Sequence, residues 1–130
     1  MSADLIHNQG LFAHAARAHW RELGEELQAD VARFNRNGGA ATFSHSRENE
    51  YRAANAAVGL EVRIVADADE HIVRYDFMRM NDRSAGAPEG GILSMRMGEK
   101  GVEFYSSDQP LTPKEARSLL LDPVLNPPAC

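Results

Sequence analysis

Apolar residues recur every three or four positions over the first part of the chain, which is the spacing of one face of an α-helix. The members of this stripe are Leu5, Phe12, Ala16, Trp20, Leu23, Leu27, Val31 and Phe34. Ser2 can cap the first turn, and Asn37-Gly38-Gly39 tolerates the left-handed backbone that commonly ends a helix. The pattern predicts a helix over residues 2–37, with Gly10 as a place where it could kink or begin.

Beyond residue 40 the pattern changes to alternation of apolar and polar residues, which is typical of strands with one buried face. Strands are predicted near residues 41–47, 51–56, 60–66, 71–80, 92–97 and 102–106. The alanines of the second segment favour a helix over a strand, so its assignment rests on its neighbours.

The parity of these segments sets the register of two hairpins. A turn at Gly98-Glu99-Lys100-Gly101 places Met97 opposite Val102, Met95 opposite Phe104 and, on the other face, Arg96 opposite Glu103. A turn at residues 67–70 joins the third and fourth strands, and alternate residues of both strands face the core. Their inward residues are Leu60, Val62, Ile64, Val73, Tyr75 and Phe77.

A capping signal marks a second helix near the end of the chain. Thr112-Pro113-Lys114-Glu115 is a capping box with proline at the first helical position. The core-facing residues predicted for this helix are Leu119, Leu120 and Val124, and Pro123 is expected to limit it to two or three turns. Residues 81–91 are predicted to form an exposed loop, and residues 126–130 a disordered tail.

These elements predict an α+β fold in which residues 1–130 form one domain. A long N-terminal helix and a short C-terminal helix would pack on one face of an antiparallel β-meander of five or six strands. The other face of the sheet would then remain uncovered.

Composition narrows the possible partners and the cellular location. The formal net charge is -5, so the chain has no overall attraction to nucleic-acid phosphates or to anionic lipid. No apolar run is long enough to cross a membrane, and the first ten residues lack the features of a signal peptide. Cys130 is the only cysteine, which excludes an intrachain disulfide. The expectation is a cytoplasmic protein without a membrane partner.

No set of residues with a recognisable catalytic or metal-binding pattern emerges. The five histidines, His7, His14, His19, His45 and His71, lack the helical spacing of four residues that a metal pair uses. Ser44 and Ser46 flank His45 on a predicted strand, where neighbouring side chains point to opposite faces. The acidic turn from Asp67 to His71 has no EF-hand spacing, and ordinary hairpin turns also contain such residues. The sequence predicts no catalytic residue, no metal site and no cofactor.

The uncovered sheet face is the strongest functional signal. Alternation sends to it Glu61, Arg63, Val65, Ile72, Arg74, Asp76, Met78, Ile92, Ser94, Arg96, Glu103 and Tyr105. Arginine beside aromatic and aliphatic residues is a combination enriched at protein interfaces. The alternative interpretation is an ordinary solvated face, stabilised by cross-strand pairs between arginines and carboxylates.

Three hypotheses follow, in order of preference. The first is a non-catalytic binding module that forms a homodimer, or binds another protein, through Arg63, Ile72, Arg74, Ile92, Arg96 and Tyr105. The second is a nucleic-acid-binding protein that uses the three arginines with Tyr105 stacked on a base, although the net charge and the interleaved carboxylates disfavour it. The third is a small enzyme or ligand carrier with a pocket between the N-terminal helix and the sheet, using His45 or a residue of the 81–91 loop.

Overall fold

A helix, seven consecutive strands and a second helix make up the chain. The computed structural model describes residues 2–67, 69–81, 86–98 and 101–126, with side chains from residue 12 onward apart from that of Ser46. The elements are α1 (Ser2–Arg36), β1 (Ala41–Arg47), β2 (Glu50–Asn55), β3 (Leu60–Asp67), β4 (Ile72–Arg79), β5 (Gly91–Gly98), β6 (Gly101–Ser106), β7 (Gln109–Leu111) and α2 (Pro113–Leu125). Residues 82–85 of the predicted loop, the turn residues Glu99 and Lys100, and residues 127–130 of the predicted tail lie outside the described residues.

The strands form one antiparallel sheet in which each strand pairs with the next along the chain. The predicted fold class is confirmed, with β7 as a strand beyond the expected five or six. Both predicted hairpin registers are also confirmed, since Met95 pairs with Phe104 and Arg96 with Glu103 in one hairpin, and Ile64 pairs with Tyr75 in the other.

The core lies between the helices and one face of the sheet. Leu27, Val62, Ile64, Val73 and Leu93 are almost completely buried there. Met97 was expected to face the core, but it is 55% exposed. The pairing of β4 with β5 begins at Ile72 and Ser94, so Met97 extends past the end of β4 and pairs with no residue of that strand.

Helix α1 continues through Gly10 without the break that the sequence suggested. It ends at Arg36, and Gly38 follows with a left-handed backbone, φ 102°. Along its core-facing side Ala16, Trp20, Leu23, Leu27 and Val31 are buried, as the periodicity predicts.

The sheet bends around α1. Trp20 stacks on Tyr51 of β2 with 4.1 Å between ring centroids, while the adjacent His19 meets Phe104 of β6 at 4.6 Å. Strands β2 and β6 are separated in a flat sheet by about 19 Å, whereas a helix with side chains is about 10–12 Å wide. Neighbouring helix residues can reach both strands only because the sheet is concave toward the helix.

Helix α2 begins as predicted and buries a different set of residues. The Thr112 side chain accepts a hydrogen bond from the Glu115 backbone, and the Glu115 carboxylate accepts one from the Thr112 backbone, which completes the capping box. Leu120 and Val124 are buried as expected, but Leu119 is 36% exposed and Leu121 takes its place in the core. The buried residues Ala116, Leu120, Leu121, Val124 and Leu125 lie on one side of the helix, and Leu119 lies outside it.

Pro123 lies within the last turn of α2 and does not end it, so the helix is longer than predicted. The donor that Pro123 lacks would have served the carbonyl of Leu119, on the exposed side where solvent can replace it. One of the last helical carbonyls, that of Val124, accepts a hydrogen bond of 3.0 Å from the buried Asn55 side chain. Asn55 therefore ties β2 to the end of α2.

The two outer strands of the sheet are both irregular. At the start of β1, the Asn35 side chain accepts from the Ala41 backbone N–H at 2.7 Å and donates to its carbonyl at 2.8 Å. Further along β1 the register shifts between Ser44 and Arg47. The other outer strand, β7, has three residues, of which Pro110 lacks a backbone N–H. Among the described residues, no helix is long and apolar enough to cross a membrane.

Candidate functional site

The six residues predicted to bind a partner all lie on the sheet face that the helices leave uncovered, which we call the open face. None of them is buried. They are spread over β3 to β6, however, and they do not form one compact group. Arg63 lies opposite Asp76, whereas Arg96 lies opposite Glu103 on the far hairpin, about six residues or 20 Å further along the strand direction.

Each of the three arginines already has a carboxylate partner within the chain. The closest contact is between Arg63 Nε and Glu50 Oε1 at 2.8 Å. Arg74 lies 3.8 Å from Asp67, and Arg96 lies 3.4 Å from Asp108. The Arg96 guanidinium also lies over the Tyr105 ring, 4.7 Å from its centroid. The open face is therefore not a preformed cluster of unpaired cations, and one side of the Tyr105 ring is already covered.

A buried carboxylate that the sequence analysis overlooked organises one end of this face. Glu50 is only 4% exposed and binds both Arg63 and Arg52, the latter at 3.0 Å. Arg52 in turn contacts Glu61 at 3.3 Å. The signal in the sequence was the spacing Glu50-Tyr51-Arg52, because residues two apart on a strand share a face. The uncertain assignment of this strand concealed it.

Three aliphatic residues occupy the centre of the open face. Val65, Arg74 and Ile92 stand side by side on β3, β4 and β5, and Ile72 follows in the next outward position of β4. Ile92 is 52% exposed although it belongs to the middle of the sheet. Arg74 and Asp76 are both exposed and share this face two residues apart.

On the opposite side of the sheet, a groove of about 890 Å³ separates the first half of α1 from the turns that follow β1 and β3. We call it the α1 groove. The helix contributes Ala13, Ala16, Arg17, Trp20 and Arg21. The turns contribute Glu48, Asn49, Asp69 and His71, and the strand residues His45, Ala66 and Met95 complete the lining. The third sequence hypothesis had expected a pocket in this position.

Hydrogen bonds hold the aromatic end of the groove in place. The Trp20 indole N–H donates to the Glu48 carbonyl at 2.9 Å, and the same carbonyl lies 3.3 Å from His45 Nε2. The Tyr51 hydroxyl donates to the Trp20 carbonyl at 3.0 Å, and burial, helped by the nearby Glu25 charge, raises the pKa of Tyr51 to about 12. Tyr51 therefore remains a neutral donor near neutral pH.

Neither His45 nor His71 is bonded to a carboxylate of the described residues in this groove. His45 Nε2 contacts a backbone carbonyl and not a carboxylate. The His71 ring packs edge-on against Phe12 at 4.7 Å. Outside the groove, burial lowers the pKa of His19 against the opposing charges of Glu22, Glu26 and Glu103, and the half-buried ring packs against Phe104.

The acidic turn after β3 has the hydrogen bonding of an ordinary turn. One Asp67 carboxylate oxygen accepts from the backbone N–H groups of Asp69 and Glu70, at 3.1 and 3.2 Å. Within the described part of the chain, no group of three or more His, Cys, Asp or Glu side chains could hold a metal ion.

A smaller cavity of about 300 Å³ lies between the end of α1 and α2. Its main charged residue is Arg117, which binds Asp30 at 2.8 Å and Glu26 at 2.7 Å and so fastens α2 to α1. Because these contacts join two helices, we interpret this cavity as part of the helix interface.

The chain matches no protein-family model, no curated protein and no solved structure.

Proposed function

We propose that the protein is a non-catalytic interaction module that self-associates as a homodimer through the open face. The observation that carries this proposal is the exposure of Ile92 at the centre of a sheet face that neither helix covers. Ile72 of β4 lies diagonal to Ile92, and Val65 of β3 adds a further aliphatic side chain on the far side of Arg74. Aliphatic residues surrounded by arginine and carboxylate side chains give the apolar centre and polar rim that stable interfaces have.

A second copy of the same face is the partner that fits its charges. Two copies related by a two-fold axis present identical surfaces, so every charged group must find its complement within the same patch. Arg74 and Asp76 are exposed and two residues apart on β4, which allows each to meet the other type across such an axis. A sheet of this size spans about 25 Å in each direction. The resulting area approaches the roughly 800 Å² per partner of a standard interface.

The contacts of the three arginines disfavour a nucleic acid as the partner of the open face. Arg63, Arg74 and Arg96 each face a carboxylate of the chain, so phosphates would have to compete for them. Arg96 also covers a face of the Tyr105 ring on which a base would stack.

The test is the oligomeric state of three proteins, measured by size-exclusion chromatography with light scattering at micromolar concentrations. We expect a dimer for the natural sequence and a monomer for Ile92→Glu, because a carboxylate would have to be desolvated at the centre of the interface. Met97→Glu is the matched control. It lies on the same strand with a similar exposed fraction, adds the same charge and lies on the other face, so it should remain dimeric. A monomeric natural protein, or identical behaviour of both variants, would refute the proposal.

A further inference from the structure

We propose that the α1 groove binds a small amphiphilic carboxylate, with Arg17 and Arg21 holding the anionic group and the alanines of the groove contacting the apolar part. This site lies on the opposite side of the sheet from the open face, so it does not depend on the dimer proposal. The size of the groove, the arrangement of its charges and the composition of its floor all suit such a ligand.

The volume of the groove suits a small organic molecule. At about 890 Å³ it lies within the range of roughly 300–1,000 Å³ that is typical of ligand pockets. Such pockets combine apolar walls with a few polar groups that fix the orientation of the ligand. The alanines at positions 13, 16 and 66 leave the space free because their side chains end at Cβ.

The two arginines are placed to converge on one anion. Arg17 and Arg21 are four residues apart on α1, which puts their side chains on the same side of the helix about 5–6 Å apart at Cβ. Both are exposed, and neither forms an ion pair with any described residue. Arg33 near the end of α1 and Arg117 of α2, in contrast, are both paired with Asp30. A carboxylate can accept hydrogen bonds from two guanidinium groups at once.

The acidic residues of the groove have a different arrangement. Glu48 lies in the turn after β1, and Asp69 lies in the turn after β3. Two carboxylates on separate turns are less able to converge on one cation than two arginines on consecutive turns of one helix. The groove is therefore a better site for an anionic group than for a cationic one.

The aromatic end of the groove is rigid before any ligand arrives. The Glu48 carbonyl fixes the Trp20 indole, and Tyr51 stacks beneath it. A preformed wall lowers the entropy lost on binding. Trp20 is also the only tryptophan of the chain, so its fluorescence responds to a molecule bound beside it in this groove.

The probe for the test is 1-anilinonaphthalene-8-sulfonate, which combines an anionic group with an apolar aromatic body. We expect saturable binding with energy transfer from Trp20 to the probe. Arg17→Gln and Arg21→Gln should each weaken binding about tenfold, because each removes one charge-assisted hydrogen bond. Arg36→Gln is the matched control, since it makes the same charge change at an exposed position at the far end of α1, and its affinity should equal that of the natural protein.

Two further measurements separate the groove from non-specific adhesion. Ala13→Phe, whose fold is checked by circular dichroism, should block the groove and abolish the energy transfer without any change in charge. Hexanoate should displace the probe, while hexanol at the same concentration should not. Equal affinity of the Arg17, Arg21 and Arg36 variants, or equal displacement by acid and alcohol, would overturn the proposal. Binding that is lost in Ile92→Glu and retained in Ala13→Phe would place the probe on the open face instead and would also refute it.

Discussion

The ring of Tyr51 lies directly against the backbone of α1 at Gly24. A Cβ added at Gly24 would fall 2.7 Å from Tyr51 Cε1 and still closer to Cζ and the hydroxyl oxygen. Glycine in the middle of a helix normally destabilises it by about 1 kcal/mol relative to alanine. Here the absence of a side chain allows the tyrosine to reach the helix and to donate its hydrogen bond to Trp20.

Gly24→Ala should therefore lower the free energy of unfolding by about 1–3 kcal/mol, since the added methyl group overpacks the site. In a Tyr51→Val background, where the ring is gone, the same change should raise stability by about 1 kcal/mol. Urea denaturation of the four proteins of this cycle measures both effects. A stabilising effect of Gly24→Ala in the natural sequence would contradict the described contact.

Glu50→Gln should destabilise the protein by about 2 kcal/mol, because it removes the charge from a buried group that binds two arginines. Glu61→Gln is the comparison. Its side chain is more exposed and it bonds Arg52 at 3.3 Å, so its effect should stay within about 0.5 kcal/mol. Chemical denaturation checks both values, and equal losses would show that the burial of Glu50 has no energetic consequence.

Because burial lowers the pKa of His19, its protonated form is less favourable in the folded protein than in the unfolded chain. Between the lowered folded pKa and the unfolded value of 6.5, the unfolded chain binds more protons than the folded protein. The contribution of His19 to the free energy of unfolding is therefore most favourable above pH 6.5 and falls as the pH drops through this window. His19→Gln lacks this titration, so its stability should change less between pH 7.5 and the acid side of the window. Parallel pH profiles of the two proteins would contradict the prediction.

The capping box of α2 should also lose stability as the pH falls. Hydrogen bonds from Thr112 lower the pKa of Glu115, so its contribution to stability is present above the ordinary value of 4.5 and is lost as the pH falls through the folded pKa. Glu115→Gln keeps an acceptor oxygen without the titration, and its pH profile should therefore be flatter in this range. Thr112→Ala should cost about 1 kcal/mol at neutral pH. Denaturation curves at neutral and acid pH distinguish these outcomes.

Most of the fold was predictable because its local signals agree with one another. The boundaries of β1 coincide with the prediction, and the capping box at Thr112 placed the start of α2 correctly. The errors occur where burial depends on neighbours distant in sequence. Met97 and Leu119 fit the periodicity but lie where the adjacent element does not cover them. Strand β7 was missed because three residues that include a proline give no alternating pattern.

The sites were less predictable than the elements. Parity correctly assigned the open face, but it could not show that Arg63 binds Glu50 or that Arg96 lies over Tyr105. The α1 groove joins a helix to two turns, with His71 lying 58 positions after Ala13 in the chain, and no local spacing connects them. Trp20 was expected to be a core residue, and its role in the wall of the groove became visible only with the contact to Glu48.

The irregular outer strands have a consequence for how this protein can assemble. Asn35 occupies the backbone groups of Ala41 that a neighbouring strand would need, and Pro110 interrupts the donors on the far side. Growth of the sheet into a continuous intermolecular ribbon is thereby hindered at both ends. Association through the open face, as proposed above, would end once the two surfaces are occupied and would therefore give a finite complex and not a fibre.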